Sequence, residues 1–257
     1  MLKANSQNLT GVSARLSSII FLFFLLILTA QCDKEENISG TNVSPNDFLA
    51  SKKYDKLIVE IQFVKGFAPT TEAVTNLENF LQQRLNKPSG ITIVQSEIPS
   101  PGKTSYTAAD IRDIESSART QKPNGKTLTA YFFFADGDYS AGSGNGKVLG
   151  VAYGSSSMAI FAKTLREYSG GISQPPLRTI ETTVMLHEFG HILGLVNNGT
   201  AMQSSHQDEP HGKHCNDQNC LMYYTAETSD VVANIVGGNI PELNPSCIGD
   251  LKANGGK

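Results

Sequence analysis

The stretch that decides the fold is "HEFGHILGLVNNG", residues 187–199. His187 and His191 stand four residues apart, and side chains at i and i+4 share one face of an α-helix. Two imidazole nitrogens can therefore meet on one cation. Glu188 is close enough to touch a water beside that cation without binding the cation itself. Upstream, Leu177, Ile180 and Val184 form an apolar stripe that runs into the two histidines. Pro175-Pro176 opens this helix, where a first-turn N–H would be unpaired anyway. A buried helix presenting two histidines and a glutamate without a metal would leave polar groups desolvated. Gly194 follows His191 by three residues and turns the chain sharply out of the helix, in a conformation that a Cβ disfavours. A third ligand is expected soon after that turn.

Imidazole pairs of this kind suit zinc, which takes such nitrogens at about 2.0–2.1 Å. The His-Glu-x-x-His spacing is a known zinc-site motif in which the glutamate takes a proton from water. Asn197 is a poor third ligand, because its neutral amide binds zinc weakly. Three histidines follow in "SSHQDEPHGKHCNDQNCLMYY", residues 204–224: His206, His211 and His214.

His214 precedes Met222 by eight residues, within a Leu221-Met222-Tyr223 run. These features resemble the metzincins, zinc endopeptidases with an extended histidine motif and a methionine turn beneath the metal. The eight-residue step resembles the matrixin branch. "HCNDQNCLM", residues 214–222, resembles the archaemetzincin branch position for position: histidine, cysteine, four residues, cysteine, one residue, methionine. "VLGVAYGSSSMAIFAKTLRE", residues 148–167, is similar to the strand pair that precedes the archaemetzincin active-site helix. The resemblance spans roughly residues 55–257 and is strongest over 148–224.

The resemblance implies an α/β (α+β) zincin with a mixed twisted sheet, an active-site helix, a Met-turn at Met222 and a C-terminal helix. It implies a zinc-dependent endopeptidase acting on protein or peptide substrates, with His187, His191 and His214 on the metal and Glu188 as general base. Tyr224, two residues past Met222, matches a tyrosine that in some branches swings to the substrate oxyanion; packing is the plainer role. With His214 as ligand, about 17 residues are inserted after Gly194, which loop-closure entropy tolerates. His206 and His211 lie on this insertion and stay open as alternative ligands. In archaemetzincins a closing Cys-x-x-Cys completes a second, structural zinc. Here "CIGD", residues 247–250, puts Asp250 in place of the last cysteine. Cys215, Cys220 and Cys247 are thus expected either to hold a second zinc, with Asp250 as a fourth ligand, or to form one disulfide.

The rest of the chain is read outward from the motif. Its 257 residues are 39% apolar and 18% charged, ordinary for a folded domain. The net charge of −3 lacks the basic excess of a nucleic-acid binder, so no nucleic-acid partner is expected. Lys3 and Arg15 precede the apolar run "LSSIIFLFFLLILTA", residues 16–30, which ends at Gln31-Cys32. That layout is a secretory signal over residues 1–31, with Cys32 resembling a bacterial lipoprotein attachment site. The expectation is an exported monomer, lipid-anchored to a bacterial membrane, with an uncleaved anchor or an ordinary secreted protein as the alternatives. Residues 32–50, polar and turn-rich, read as a flexible tether, and 51–257 as the catalytic domain.

Within that domain the order reads strand 56–64, helix 70–85, strand 91–98, helix 108–119, strand 128–135, then "VLGVAYG" and "MAIFAKTL" as two strands. Alternation of this kind predicts helices packed on a mixed sheet. "LTAYFFFA", residues 128–135, is apolar on both faces and is expected at the sheet's centre. The Gly-rich loop 136–147 carries Asp136 and Asp138 but has Lys147 where an EF-hand needs Glu, so it reads as a connecting loop. Two rival functions remain: a catalytically silent zinc-binding surface lipoprotein, and an adhesin on a protease-like fold.

Overall fold

Residues 43–141, 146–235 and 238–257 are described in the computed structural model of the protein. The expected signal segment and Cys32 lie outside these residues, as does the first part of the tether. Among the described residues no helix is long and apolar enough to cross a membrane.

The elements run α1 (Pro45–Leu49), β1 (Lys56–Val64), α2 (Thr71–Arg84), β2 (Ile91–Ile98), β3 (Ser105–Tyr106), α3 (Ala108–Ala118), β4 (Thr127–Phe134) and β5 (Asp138–Tyr139). They continue with β6 (Gly150–Ala152), β7 (Ser157–Ile160), α4 (Ala162–Glu167), α5 (Leu177–Ile192), α6 (Val231–Asn234) and α7 (Pro245–Ala253). One 3₁₀ turn, Glu209–His211, lies within the inserted histidine region, and a second, Tyr224–Glu227, follows Met222. The main sheet has the order β2-β1-β4-β7-β6. The first four strands are parallel, and β6 pairs antiparallel with β7 at the edge. The protein is thus a mixed α/β fold.

β4 shows why the sheet is covered on both sides. Successive side chains alternate faces. Leu128, Ala130, Phe132 and Phe134 enter one core with α2 and α5, while Tyr131 and Phe133 enter a second with Ile111 of α3. α5 lies within the larger core and is buried on nearly all sides. Glu181 of α5 accepts the Thr70 N–H at 2.8 Å, tying the start of α2 to this helix.

Two expectations need correction. The apolar run "MAIFAKTL" is a strand only as far as Ile160; Ala162–Glu167 is helix α4. A short, fully apolar run carries no period that separates a buried strand from a helix. The tether also ends earlier than residue 50. Ser44 and Asp47 form a reciprocal capping box, and α1 buries Phe48 and Leu49 completely. Phe48 meets Phe189 of α5 edge-to-face, with ring centroids 5.8 Å apart. Lys87 secures the same segment by donating to the carbonyls of Asp47, Ala50 and Tyr54.

Asp136 and Asp138 of the Gly-rich loop are engaged by protein groups. Asp136 accepts from Ser100 and Tyr106, while Asp138 pairs with Lys147 at 3.0 Å and Lys163 at 3.5 Å.

Candidate metal centre

α5 carries Glu188 and His191 into a cleft of about 510 Å³, with His187 fully buried beside them. Val151 and Ala152, on the edge strand β6, line one wall; Val43, Pro45, Lys213, His214 and Glu227 line others. The helix leaves the cleft at Gly194, with φ +74°. A Cβ there would stand 2.6 Å from Pro45 Cγ and 2.7 Å from the Thr200 amide. Both Asn198 and Thr200 donate their N–H groups to the Gly194 carbonyl, so the chain curls tightly behind the helix. Asn197 sits in this curl at φ +61° and directs its amide to Gln207, 3.3 Å away.

The inserted residues leave and return as a short hairpin. Asp208 N–H bonds to the His214 carbonyl at 2.7 Å, and Asn216 N–H to the His206 carbonyl at 2.9 Å. In such an extended segment neighbouring side chains point to opposite faces. His214 therefore turns into the cleft, while Cys215 turns away from it.

The structure brings His187, His191 and His214 together. Their ring centroids form a triangle of 4.7, 5.0 and 5.3 Å, and His187 Nε2 lies 3.1 Å from His191 Nε2. His187 Nδ1 lies 2.7 Å from the Leu221 carbonyl, and His214 Nδ1 lies 2.8 Å from the His211 carbonyl. Each carbonyl can only accept, so Nδ1 carries the proton and Nε2 keeps a lone pair for the cleft. Burial holds the His187 pKa down at about 4 and that of His191 well below the usual histidine range. These imidazoles are neutral at pH 7, as metal ligands must be. Among the described residues, the buried His214 Nε2 and both Glu188 oxygens have no hydrogen-bond partner within normal geometry; Glu227 and the Ala152 amide are their longer-range neighbours. Burial drives the Glu188 pKa well above the carboxylate range, aided by the Glu227 carboxylate; the Ala152 amide offsets this in part. Three converging lone pairs and an unpartnered carboxylate fit a divalent cation with an adjacent water.

The fourth member of this group, Glu227, was not visible in the sequence. Its carboxylate oxygen lies 3.6 Å from His214 Nε2, and it belongs with the three histidines in one potential ligand set. Burial pulls His214 down, but Glu227 outweighs it and leaves the His214 pKa raised. No motif marks a glutamate five residues past Met222.

His206 lies elsewhere, and His211 lines the cleft without joining the ligand group. The His211 ring stacks on Tyr224 with centroids 3.6 Å apart and planes within 3°, and its Nδ1 pairs with Asp208 at 2.7 Å. His206 joins the cysteines: its Nδ1 lies 3.5 Å from Cys215 Sγ and 3.9 Å from Cys247 Sγ. Cys220 Sγ stands 3.7 Å from Cys247 Sγ and accepts the amides of Met222 and Asn244. All three thiols are buried and unbridged. Of the two alternatives expected for the cysteines, the disulfide is not formed among the described residues, and Asp250 is not in the group that could hold a metal. Asp250 binds His206 Nε2 at 2.8 Å, and His206 itself faces the sulfurs. The signal was an odd cysteine set beside a histidine with no assigned role.

No protein-family model matches the sequence, and no curated protein matches it. Among solved structures the chain is similar to archaemetzincin from Methanopyrus kandleri, with 18% identity and a TM-score of 0.50, over 79% of this chain and 96% of that one. It is also similar to a zinc-dependent peptidase from Methanocorpusculum labreanum, with 14% identity and a TM-score of 0.46, over 75% and 99% of the two chains. The first likeness shows the fold to be archaemetzincin-like.

Proposed function

We propose that the chain is a zinc-dependent endopeptidase of metzincin type, exported and held to a bacterial membrane by a lipid on Cys32. One observation carries the catalytic part: three imidazole nitrogens converge beside a buried carboxylate, Glu188, that protein groups leave unsatisfied. His187, His191 and His214 hold the metal. Zinc, when bound, supplies a Lewis acid that polarises the scissile carbonyl and acidifies water. Glu188 accepts the proton of the attacking water and delivers it to the leaving amine. Burial raises the pKa of this carboxylate, and a carboxylate held beside the attacking water can both take and return its proton. β6 is the sheet's edge strand, so an extended peptide can pair with it along the cleft. Tyr224 would have to part from His211 to reach the reacting carbonyl. The signal, anchor and tether are supported by the sequence alone.

A structural zinc in the second cluster is part of the same reading. Three cysteines and a histidine are a usual donor set for structural zinc. The Asp250–His206 pair has the carboxylate–histidine form that orients a ligating imidazole. Cys220 and Cys247 donate toward Cys215 and lower its pKa.

The test is cleavage of casein and of quenched fluorescent peptides by the zinc-loaded protein. Cleavage at internal bonds should vanish with a chelator and return with zinc. Glu188→Ala should keep its zinc and lose about 10²–10⁴-fold in turnover, the usual worth of acid–base assistance. A folded, zinc-loaded chain that cleaves nothing would leave the silent zinc-binding protein or the adhesin. Palmitate labelling that survives Cys32→Ala would refute the anchor.

A further inference from the structure

We propose that Glu227 is a fourth protein ligand of the metal held by His187, His191 and His214, a carboxylate plug that substrate must displace. The inference rests on the metal reading above and deepens it.

The spacing of the donor atoms carries the argument. Around a zinc ion with bonds of about 2.0–2.2 Å, tetrahedral corners stand roughly 3.3–3.6 Å apart. The His187–His191 nitrogen pair measures 3.1 Å, and the His214 nitrogen lies 3.6 Å from the Glu227 oxygen. All four donor atoms lie within 4.8 Å of one another. Glu227 thus occupies the corner that three histidines would leave open.

The backbone explains why it stays there. Glu227 ends the 3₁₀ turn Tyr224–Glu227. Its carbonyl accepts the Leu149 N–H at 2.8 Å, and Thr228 bridges to Val148. The turn is therefore pinned to the chain leading into β6. At its other end Tyr224 stacks on His211 of the inserted hairpin. The side chain is aimed into the cleft, beside Glu188, His191 and His214.

A closed set of four protein ligands is the pattern of a structural zinc, whereas catalytic sites keep one position open. Rotation of the Glu227 side chain converts one into the other without moving the pinned backbone. The resting protein is then self-blocked, and a peptide entering the cleft opens it by taking the vacated corner.

The test uses the full chain loaded with Co²⁺, with azide as the probe ligand, for wild type, Glu227→Ala and Glu227→Gln. The visible Co²⁺ spectrum reports the ligand set directly. In wild type the spectrum should resist azide; in both variants azide should shift it in a saturable manner. Zinc affinity should fall by about tenfold or more, the scale on which even indirect partners of a metal ligand act. Identical spectra and identical azide responses in all three proteins would overturn the proposal. The glutamine variant keeps the size of the side chain, so a folding defect confined to Glu227→Ala does not obscure the result. Peptide cleavage separates the two readings. Peptidase activity with unchanged spectra leaves the peptidase and removes the plug. Changed spectra with no cleavage by any of the three proteins keep the ligand and remove the peptidase.

Discussion

Gly190 and Met222 face each other so closely that a Cβ on Gly190 would stand 2.3 Å from the methionine sulfur. Met222 is fully buried beneath α5, on the turn that also supplies Leu221, whose carbonyl orients His187. The helix and the turn are thus fitted through the one position on α5 that has no side chain.

Gly190→Ala should therefore push the turn off the helix. Overpacking of this kind costs about 1–3 kcal/mol. Met222→Ala alone should cost about 2–5 kcal/mol through the cavity it leaves. The double variant should be less destabilised than the sum, because each change relieves the other, with a coupling of roughly 0.5–3 kcal/mol. Urea denaturation of the four proteins measures it; strict additivity would show that the two residues do not share this contact.

Gly150 plays the same part for Glu188. A Cβ on Gly150 would lie 2.8 Å from Glu188 Oε1 and 2.5 Å from Val184 Cγ1. Gly150→Ala should displace the carboxylate while leaving the histidines in place. Zinc content should hold, and kcat/KM should fall by about 10²-fold, the scale of a misplacement near 1 Å. Unchanged turnover would argue against Glu188 as the base.

Glu188 should also leave a mark on stability. Its pKa is raised in the folded protein, mainly by burial, so above 4.5 the unfolded chain releases a proton that the metal-free fold retains. Stability from this group is full below pH 4.5 and is lost as pH rises toward the folded pKa. Within that window the loss is about 1.4 kcal/mol per pH unit. Glu188→Gln removes it, so the stability advantage of the variant over the metal-free wild type should grow as pH rises above 4.5. Parallel stability curves across that range would contradict the burial argument.

Zinc counting should separate the three downstream histidines. His214→Ala should lose the cleft metal and keep the cysteine-bound one. His206→Ala should do the reverse, and Asp250→Asn should weaken the cysteine site by about 10–100-fold. His211→Ala should keep both ions. Elemental analysis and chelator competition read each case; a His206→Ala protein that loses the cleft metal would return His206 to the catalytic set.

What the sequence determined by itself is local. Periodicity placed β1 over 56–64 and β2 over 91–98, residue for residue, and the apolar β4 was legible as the central strand. The i, i+4 spacing placed His187, Glu188 and His191 on one turn of helix, and the step from His214 to Met222 marked the returning histidine. The signal for α1 was present too, in Ser44-Pro45-Asn46-Asp47, a capping box that polar composition concealed. The tertiary structure alone decided which histidine of the insertion meets which partner. His206 and His214 are eight residues apart on one hairpin, yet one faces the sulfurs of Cys215 and Cys247 while the other faces two imidazoles. It also brought Glu227 to within 3.6 Å of His214 from a separate turn pinned to residues 147–149. Such pairings depend on where a loop returns and which face each side chain takes. Strand order and hairpin register set both, and neither leaves a period in the sequence.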